Sequence, residues 1–260
     1  MILIGCIIQA RMGSSRLPGK VLKKINGKVP MLKFQLDQLK YSKCIEKIVV
    51  ATTNMEEDDE IVNFCKANDV ECFRGESENV LDRYYQCAKK FNFSIILRIT
   101  GDNPLIDPEI VDEIIGKFVD SDYNYMTNEY PKTYPLGFAV EVFDFQSIEE
   151  TWKNADLPSE CEHVTPYLIK NKDRFKHYNC AYGKENLSYI RCTVDTEHDF
   201  KLIEEIISKI DVKPINLNHV LELFSEKPHL LEINKHVKHD GYERSLLEDK
   251  QFLKDKKNRT

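Results

Sequence analysis

Short apolar runs alternate with longer amphipathic stretches through the first 120 residues of the chain. Residues 2–8, 48–52, 71–74 and 95–99 are each followed by a helix-length segment, at 31–41, 57–68, 80–91 and 108–119. Runs that are apolar throughout, rather than at every second position, mark strands covered on both faces. A strand-then-helix repeat predicts right-handed parallel crossovers, so the expected fold class is α/β, a three-layer α/β/α sandwich around a Rossmann-like, mostly parallel sheet. Asp107-Pro108 supplies a cap ahead of a first-turn proline, and Asn79 or Ser77 can cap the helix that carries Asp82 and Arg83.

Beyond residue 120 the pattern changes. Strands are expected at 138–143 and 189–194 around a helical stretch at 147–170, with Pro131, Pro135 and Gly137 punctuating a loop. This reads as a small substrate-facing or dimerisation layer at about 120–190, inserted into a single domain spanning 1–235. Residues 197–210 are again helical, and a charged, apolar-poor tail at 236–260 is expected to fray.

Composition narrows the class. At 260 residues, 42% hydrophobic and 31% charged, the chain has ample material for one large core and no run long enough to span a membrane. Thirty-seven Lys and Arg against 43 Asp and Glu give a net charge of −6, which argues against a general nucleic-acid or anionic-membrane binder. The charge is unevenly placed. No acid occurs before Asp37, whereas Arg11, Arg16, Lys20, Lys23, Lys24, Lys28 and Lys33 all do, so an anionic ligand is expected at that end. Eight scattered cysteines without a CxxC pair read as reduced thiols, and the opening ILIGCII lacks the flanks of a signal peptide, so a cytoplasmic protein is expected.

Three segments carry candidate chemistry. The loop QARMGSSRLPGK (residues 9–20) leaves the carboxyl end of a buried strand, where open α/β sheets bind ligands. Gly13, Ser14, Ser15 and Gly19 let backbone N–H groups approach a phosphate, and Arg11, Arg16 and Lys20 add charge. It is not a Walker loop, since its glycine spacing is wrong and Val21 stands where a Ser or Thr is required; GxGxxG is absent as well. In RITGDNPLIDP (98–108), Asp102 follows a strand and can hold a magnesium ion against a triphosphate, while Asp107 suits a helix cap. In TVDTEHDF (193–200), Asp195 can supply a second carboxylate to the same ion, and Asp199 suits ligation or a first-turn acid complementing the helix dipole. A polyphosphate loop, two carboxylates for a metal and no evident nucleophilic side chain together suggest nucleotidyl transfer, with the attacking oxygen supplied by a second substrate.

These residues resemble a known family: the cytidylyltransferases that make CMP-activated acidic sugars, such as CMP-KDO and CMP-sialate synthetases, and above all the spore coat polysaccharide biosynthesis protein F branch. QARMGSSRLPGK, FRGESENVLDRYYQCAK, RITGDNPLIDP, SECEHVTPYL and VDTEHDF follow the family's order over residues 1 to about 210. The resemblance implies a fold of the nucleotide-diphospho-sugar transferase type, transfer of CMP from CTP to a sugar or sugar-phosphate acceptor, Mg2+ as cofactor and a homodimer. It implies that Arg11 and Lys20 hold the CTP phosphates, with Arg16 and Ser14 or Ser15 nearby, and that Asp102 and Asp195 bind the metal. Asp82-Arg83 matches a pair beside the nucleotide, although an ordinary solvated helical pair fits the spacing as well. Backbone groups near Ala10 and side chains around 52–54 and 74–76, Arg74 among them, match the base-recognising segments. GFAVEVF with Glu141, and ECEHVTPY with Glu162 and His163, match acceptor-side segments, where the chain departs from the KDO and sialate enzymes; a structural His163 is the competing reading. Two alternatives remain at this level: a glycosyltransferase using a nucleotide-sugar donor, and a non-catalytic nucleotide- or sugar-binding protein.

Overall fold

Residues 5–8 are buried on both sides of the strand they form, and this burial places β1 (Ile4–Gln9) at the centre of the sheet. The computed structural model describes residues 2–238 and 241–259. A small hairpin, β2 (Lys24–Ile25) and β3 (Val29–Pro30), leads into α1 (Met31–Leu39), and then strand and helix alternate through β4 (Lys47–Thr53), α2 (Asp59–Ala67), β5 (Glu71–Gly75), α3 (Val80–Phe91), β6 (Ile95–Thr100) and α4 (Pro108–Val119). The second half adds β7 (Tyr125–Thr127), β8 (Glu141–Asp144), α5 (Phe145–Asn154), α6 (Pro158–His163), α7 (Pro166–Lys170), β9 (His177–Asn179), α8 (Glu197–Lys209), α9 (Leu217–Glu226) and α10 (Gly241–Arg259).

Seven strands form one sheet in the order β5-β4-β1-β6-β8-β7-β9. The first four are parallel, β8 runs antiparallel to both β6 and β7, and β9 pairs in parallel with β7. Alternate residues of the central strands feed two cores. Cys6, Ile8, Leu97 and Ile99 face the helices α1, α2, α4, α8 and α9, while Ile7 and Ile96 face α3, α5 and α7. Since β4 and β5 build outward from one side of β1 and β6 lies on the other, the crevice at the carboxyl ends of β1 and β6 is the switch point where such sheets bind ligands.

The caps expected at Asn79 and Asp107 are present: Asn79 accepts from the Asp82 amide at 2.8 Å, and Asp107 from the amides of Glu109 at 2.8 Å and Leu217 at 2.7 Å. The second half corrects several expectations. The stretch 147–170 is three helices, because Pro158 and Pro166 each open a new one at its first turn. The strand expected at 138–143 pairs only over Glu141–Asp144, since the Asn128 side chain bonds Phe138 O and Val140 N in place of a neighbouring backbone. Residues 189–194 form no strand and make one isolated bridge, Leu136 to Arg191. Gly137 has φ +106°, and a Cβ there would meet the Cys192 carbonyl carbon at 2.6 Å, so this close approach seats the segment leading to Asp195.

Residues 241–259 of the tail form a helix, α10, where fraying was expected. Ser245 and Asp249 of α10, one turn apart, are buried against α6, where Asp249 accepts from the Ser159 amide at 2.8 Å and the Ser159 hydroxyl at 2.6 Å. Asp249 thus serves as the N-terminal cap of α6 from a distant part of the chain. Asp249→Ala leaves that amide and hydroxyl without an acceptor, and is expected to cost about 1–3 kcal/mol and to speed proteolysis within α10. Thermal melting and limited trypsin digestion check this; an unchanged digestion rate contradicts it.

Candidate active site

The loops leaving β1 and β6 are drawn together at their base. The Gly101 amide donates to Gln9 O at 2.8 Å, and a Cβ at Gly101 would lie 2.9 Å from that same oxygen, so only glycine fits there unstrained. Asp102 follows immediately, its Oδ1 held by the Thr100 hydroxyl at 2.6 Å and its carbonyl accepting from the Val194 amide at 2.8 Å. The latter bond brings Asp195 beside Asp102, 93 positions apart in the chain.

Both carboxylates converge on one cation. Lys20 Nζ lies 3.0 Å from Asp195 Oδ1, 3.3 Å from Asp102 Oδ2 and 2.7 Å from Val194 O. Asp195 Oδ2 is held by Arg16 at 3.1 Å and Arg191 at 2.7 Å. Burial opposes the Lys20 charge, but Asp102 and Asp195 outweigh it and raise its pKa above the ordinary lysine value. Burial likewise opposes the Asp195 charge, and Lys20, Arg16 and Arg191 outweigh it, lowering its pKa to about 2. Both groups are therefore charged at neutral pH.

Sequence reasoning missed Asn234 and also Arg191, the cation that holds Asp195 Oδ2 from the interior side. Its buried guanidinium forks between Asp195 and Asp199, with Nε 2.8 Å from Asp199 Oδ1. Asn234 donates to the same Asp199 oxygen at 2.9 Å and to Arg191 O at 3.0 Å. Asp199 also accepts from Thr196 in a capping box at the start of α8. Asp199 is thus a structural anchor, as its first-turn position allowed. Asp58, buried and likewise missed, accepts from the Met12 amide at 2.7 Å and the Thr53 amide at 3.1 Å, tying the loop after β1 to the end of β4.

In that loop Ala10 bonds Ala51 O at 3.1 Å, and Ser14 Oγ accepts from the Leu17 amide at 3.4 Å. Among the described residues, the amides of Arg11, Gly13 and Ser15 have no protein acceptor. Arg11, Ser15 and Arg16 are exposed, and the Glu57 carboxylate overlies Gly13.

Other candidates go elsewhere. Arg74 is spent on Thr53 O at 2.9 Å, Met55 O at 2.8 Å and the Asp59 carboxylate, bracing the loop after β4. Asp82 accepts from the Trp152 indole at 2.8 Å and Gln86 at 3.0 Å, and the Trp152 bond ties α3 to α5. Arg83 is buried, donating to Glu76 O at 2.7 Å and Ser77 O at 3.0 Å; burial lowers its pKa, and so does the neighbouring Arg11 charge. Glu141 is interior, bonded by Tyr125 at 2.6 Å, Thr165 at 2.7 Å and the Arg98 guanidinium, so both its oxygens are taken. Glu162 accepts from Ser245 at 2.5 Å, and His163 Nε2 lies 2.9 Å from that hydroxyl, so both engage α10. Burial holds His163 below the ordinary histidine pKa.

The donor set at Asp102 and Asp195 suits a hard divalent cation, being two carboxylates already turned toward one positive charge. No group of three or more His, Cys, Asp or Glu able to hold a metal occurs among the described residues, which leaves the rest of a coordination shell to phosphate oxygens and water. No described helix is long and apolar enough to cross a membrane.

A sequence model of the family described as cytidylyltransferase matches residues 5–237. The chain is 38% identical over 241 residues to an uncharacterised protein of Methanocaldococcus jannaschii, covering 91% of this chain and 96% of that one. It is 33% identical over 230 residues to the spore coat polysaccharide biosynthesis protein SpsF of Bacillus subtilis, covering 85% and 94%. The solved structure of a cytidylyltransferase from Leptospira borgpetersenii superposes with a TM-score of 0.85 at 34% identity, covering 92% of this chain and 100% of the other. The chain belongs to the cytidylyltransferase family, and the resemblance read from its motifs is borne out. It is a nucleotidyltransferase of the α/β class.

Proposed function

We propose that the triphosphate of CTP lies against the loop 10–20 and that CMP passes to a sugar or sugar-phosphate acceptor, releasing pyrophosphate, in the assembly of a surface polysaccharide or glycan. The observation that carries this reading is the convergence of Asp102 and Asp195 on a single cation beside a loop bearing Arg11, Arg16 and Lys20. An acceptor oxygen attacks the α-phosphorus, the bond from that phosphorus to its bridging oxygen breaks, and pyrophosphate leaves with the electron pair. A hydroxyl acceptor gives its proton to solvent. Arg11, Arg16 and Lys20 meet the charge that grows on the leaving group, and the open amides of the loop orient the phosphates. Magnesium held by Asp102 and Asp195 would supply Lewis-acid neutralisation of the phosphate oxygens. Arg191, fixed by Asp199 and Asn234, holds the Asp195 carboxylate in place. The SpsF relative supports a polysaccharide setting and the family match supports CTP.

The test is pyrophosphate release measured with each of the four ribonucleoside triphosphates against a panel of acidic sugars, neutral sugars and sugar phosphates. Release is expected with CTP and to depend on both acceptor and metal. Acceptor-dependent turnover of another triphosphate at a higher rate, or turnover of a nucleotide-sugar donor instead, contradicts the reading.

A further inference from the structure

Lys20 occupies the point at which the carboxylates meet. Its ammonium has three hydrogens and three acceptors, Asp195 Oδ1, Asp102 Oδ2 and Val194 O, and its side chain is 11% exposed. The other Asp195 oxygen is engaged by Arg16 and Arg191, and the other Asp102 oxygen by Thr100. The oxygens a divalent cation needs are therefore the ones Lys20 holds, and an ammonium and a divalent ion repel each other at that separation. We propose that Lys20 is the resident counter-cation of the two carboxylates, and that a divalent cation enters only as a triphosphate draws Lys20 away, so that metal and nucleotide bind as a unit. The inference rests on the metal assignment made above.

The chemistry suits both positions. Lysine is a compact charge on a flexible four-carbon stem that binds phosphate as readily as carboxylate. The loop amides and Arg11 offer the triphosphate a seat on the loop that carries Lys20, which closes on itself where the Gly19 amide donates to Met12 O at 2.9 Å. Because coupling between ligands is reciprocal, CTP raises the affinity for metal by the factor that metal raises the affinity for CTP, and free metal alone gains little hold on the site.

The experiment is an Mn2+ titration of the full chain followed by electron paramagnetic resonance, with no acceptor present, on wild type, Lys20→Met, Lys20→Gln, Asp102→Asn and the double variant Lys20→Met/Asp102→Asn. Circular dichroism melts confirm that each is folded, and the two Lys20 variants back each other up. Without nucleotide, both Lys20 variants are expected to bind Mn2+ at least about tenfold more tightly than wild type, the effect of removing one adjacent like charge, and the double variant is expected to lose that gain. Equal Mn2+ affinity in wild type and both Lys20 variants overturns the role of Lys20. If Asp102→Asn still abolishes CTP-dependent Mn2+ uptake in that case, the metal assignment stands and only the Lys20 inference falls. If CTP-dependent uptake survives Asp102→Asn, the metal assignment itself is wrong and the inference falls with it.

Discussion

Asp102→Asn is expected to lower the rate of pyrophosphate release at saturating CTP by at least about 100-fold, because it removes the charge proposed to face the metal without changing side-chain volume. The fold should barely notice. The Asp102 carbonyl keeps its bond from the Val194 amide, and Lys20 keeps Asp195 and Val194 O as acceptors. Asp102 is itself partly exposed, with a side chain 29% accessible, so the stability change should stay within about 1 kcal/mol. A magnesium titration separates a lost ligand from a lost counter-ion. Loss of a ligand raises the magnesium needed for half-maximal rate, whereas loss of a mere partner for Lys20 leaves that requirement alone. A near-normal rate with an unchanged metal requirement would remove Asp102 from the site.

The largest stability effect is expected at Glu141, where the sequence had suggested an acceptor contact. Its carboxylate is nearly buried and is, among the described residues, the only one bonded to the Arg98 guanidinium, whose side chain is 12% exposed. Burial opposes the Arg98 charge, and Glu141 outweighs it, holding that guanidinium above its ordinary pKa. Glu141→Ala strands this charge together with the Tyr125 and Thr165 hydroxyls, and breaking a buried pair in this way costs about 3–5 kcal/mol. For a domain of this size that corresponds to a fall in Tm on the order of 10 °C. The double variant Arg98→Met/Glu141→Leu should recover most of the loss, since two apolar side chains replace a buried pair at little net cost. An unchanged Tm in Glu141→Ala would show that Arg98 has another counter-charge.

The parallel half of the sheet was readable because β1 and β6 are buried on both faces, which leaves predominantly apolar runs in the sequence, broken in β6 only by Arg98. Asp107 was readable because Asp-Pro is a local signal. The loop 9–20 was readable because seven cations precede the first acid of the chain. Residues 189–194 misled for a physical reason. Apolar Ile190, Cys192 and Val194 alternate with polar Arg191 and Thr193, imitating a strand, although all five are buried; the neighbouring segment turns away at Gly137 and offers only one bridge among the described residues. Asn234 had no local signal, because its partners Asp199 and Arg191 are 35 and 43 positions away. The docking of α10 was invisible to hydrophobic periodicity because two polar residues, Ser245 and Asp249, bond it to α6. The structural partners of Arg74 and Asp82 were not readable from the sequence, because the same residue types that grip a nucleotide also brace a loop or tie two helices, and spacing does not distinguish these uses.

Asp102 and Asp195 are proposed to hold one divalent cation against a triphosphate seated on the loop 10–20. Anomalous diffraction from crystals grown with Mn2+ and CTP tests it most directly. The account predicts a manganese peak about 2.1 Å from an oxygen of each carboxylate, with the phosphates against Arg11 and Lys20. A peak that touches neither carboxylate, or a triphosphate lying away from that loop, would contradict it.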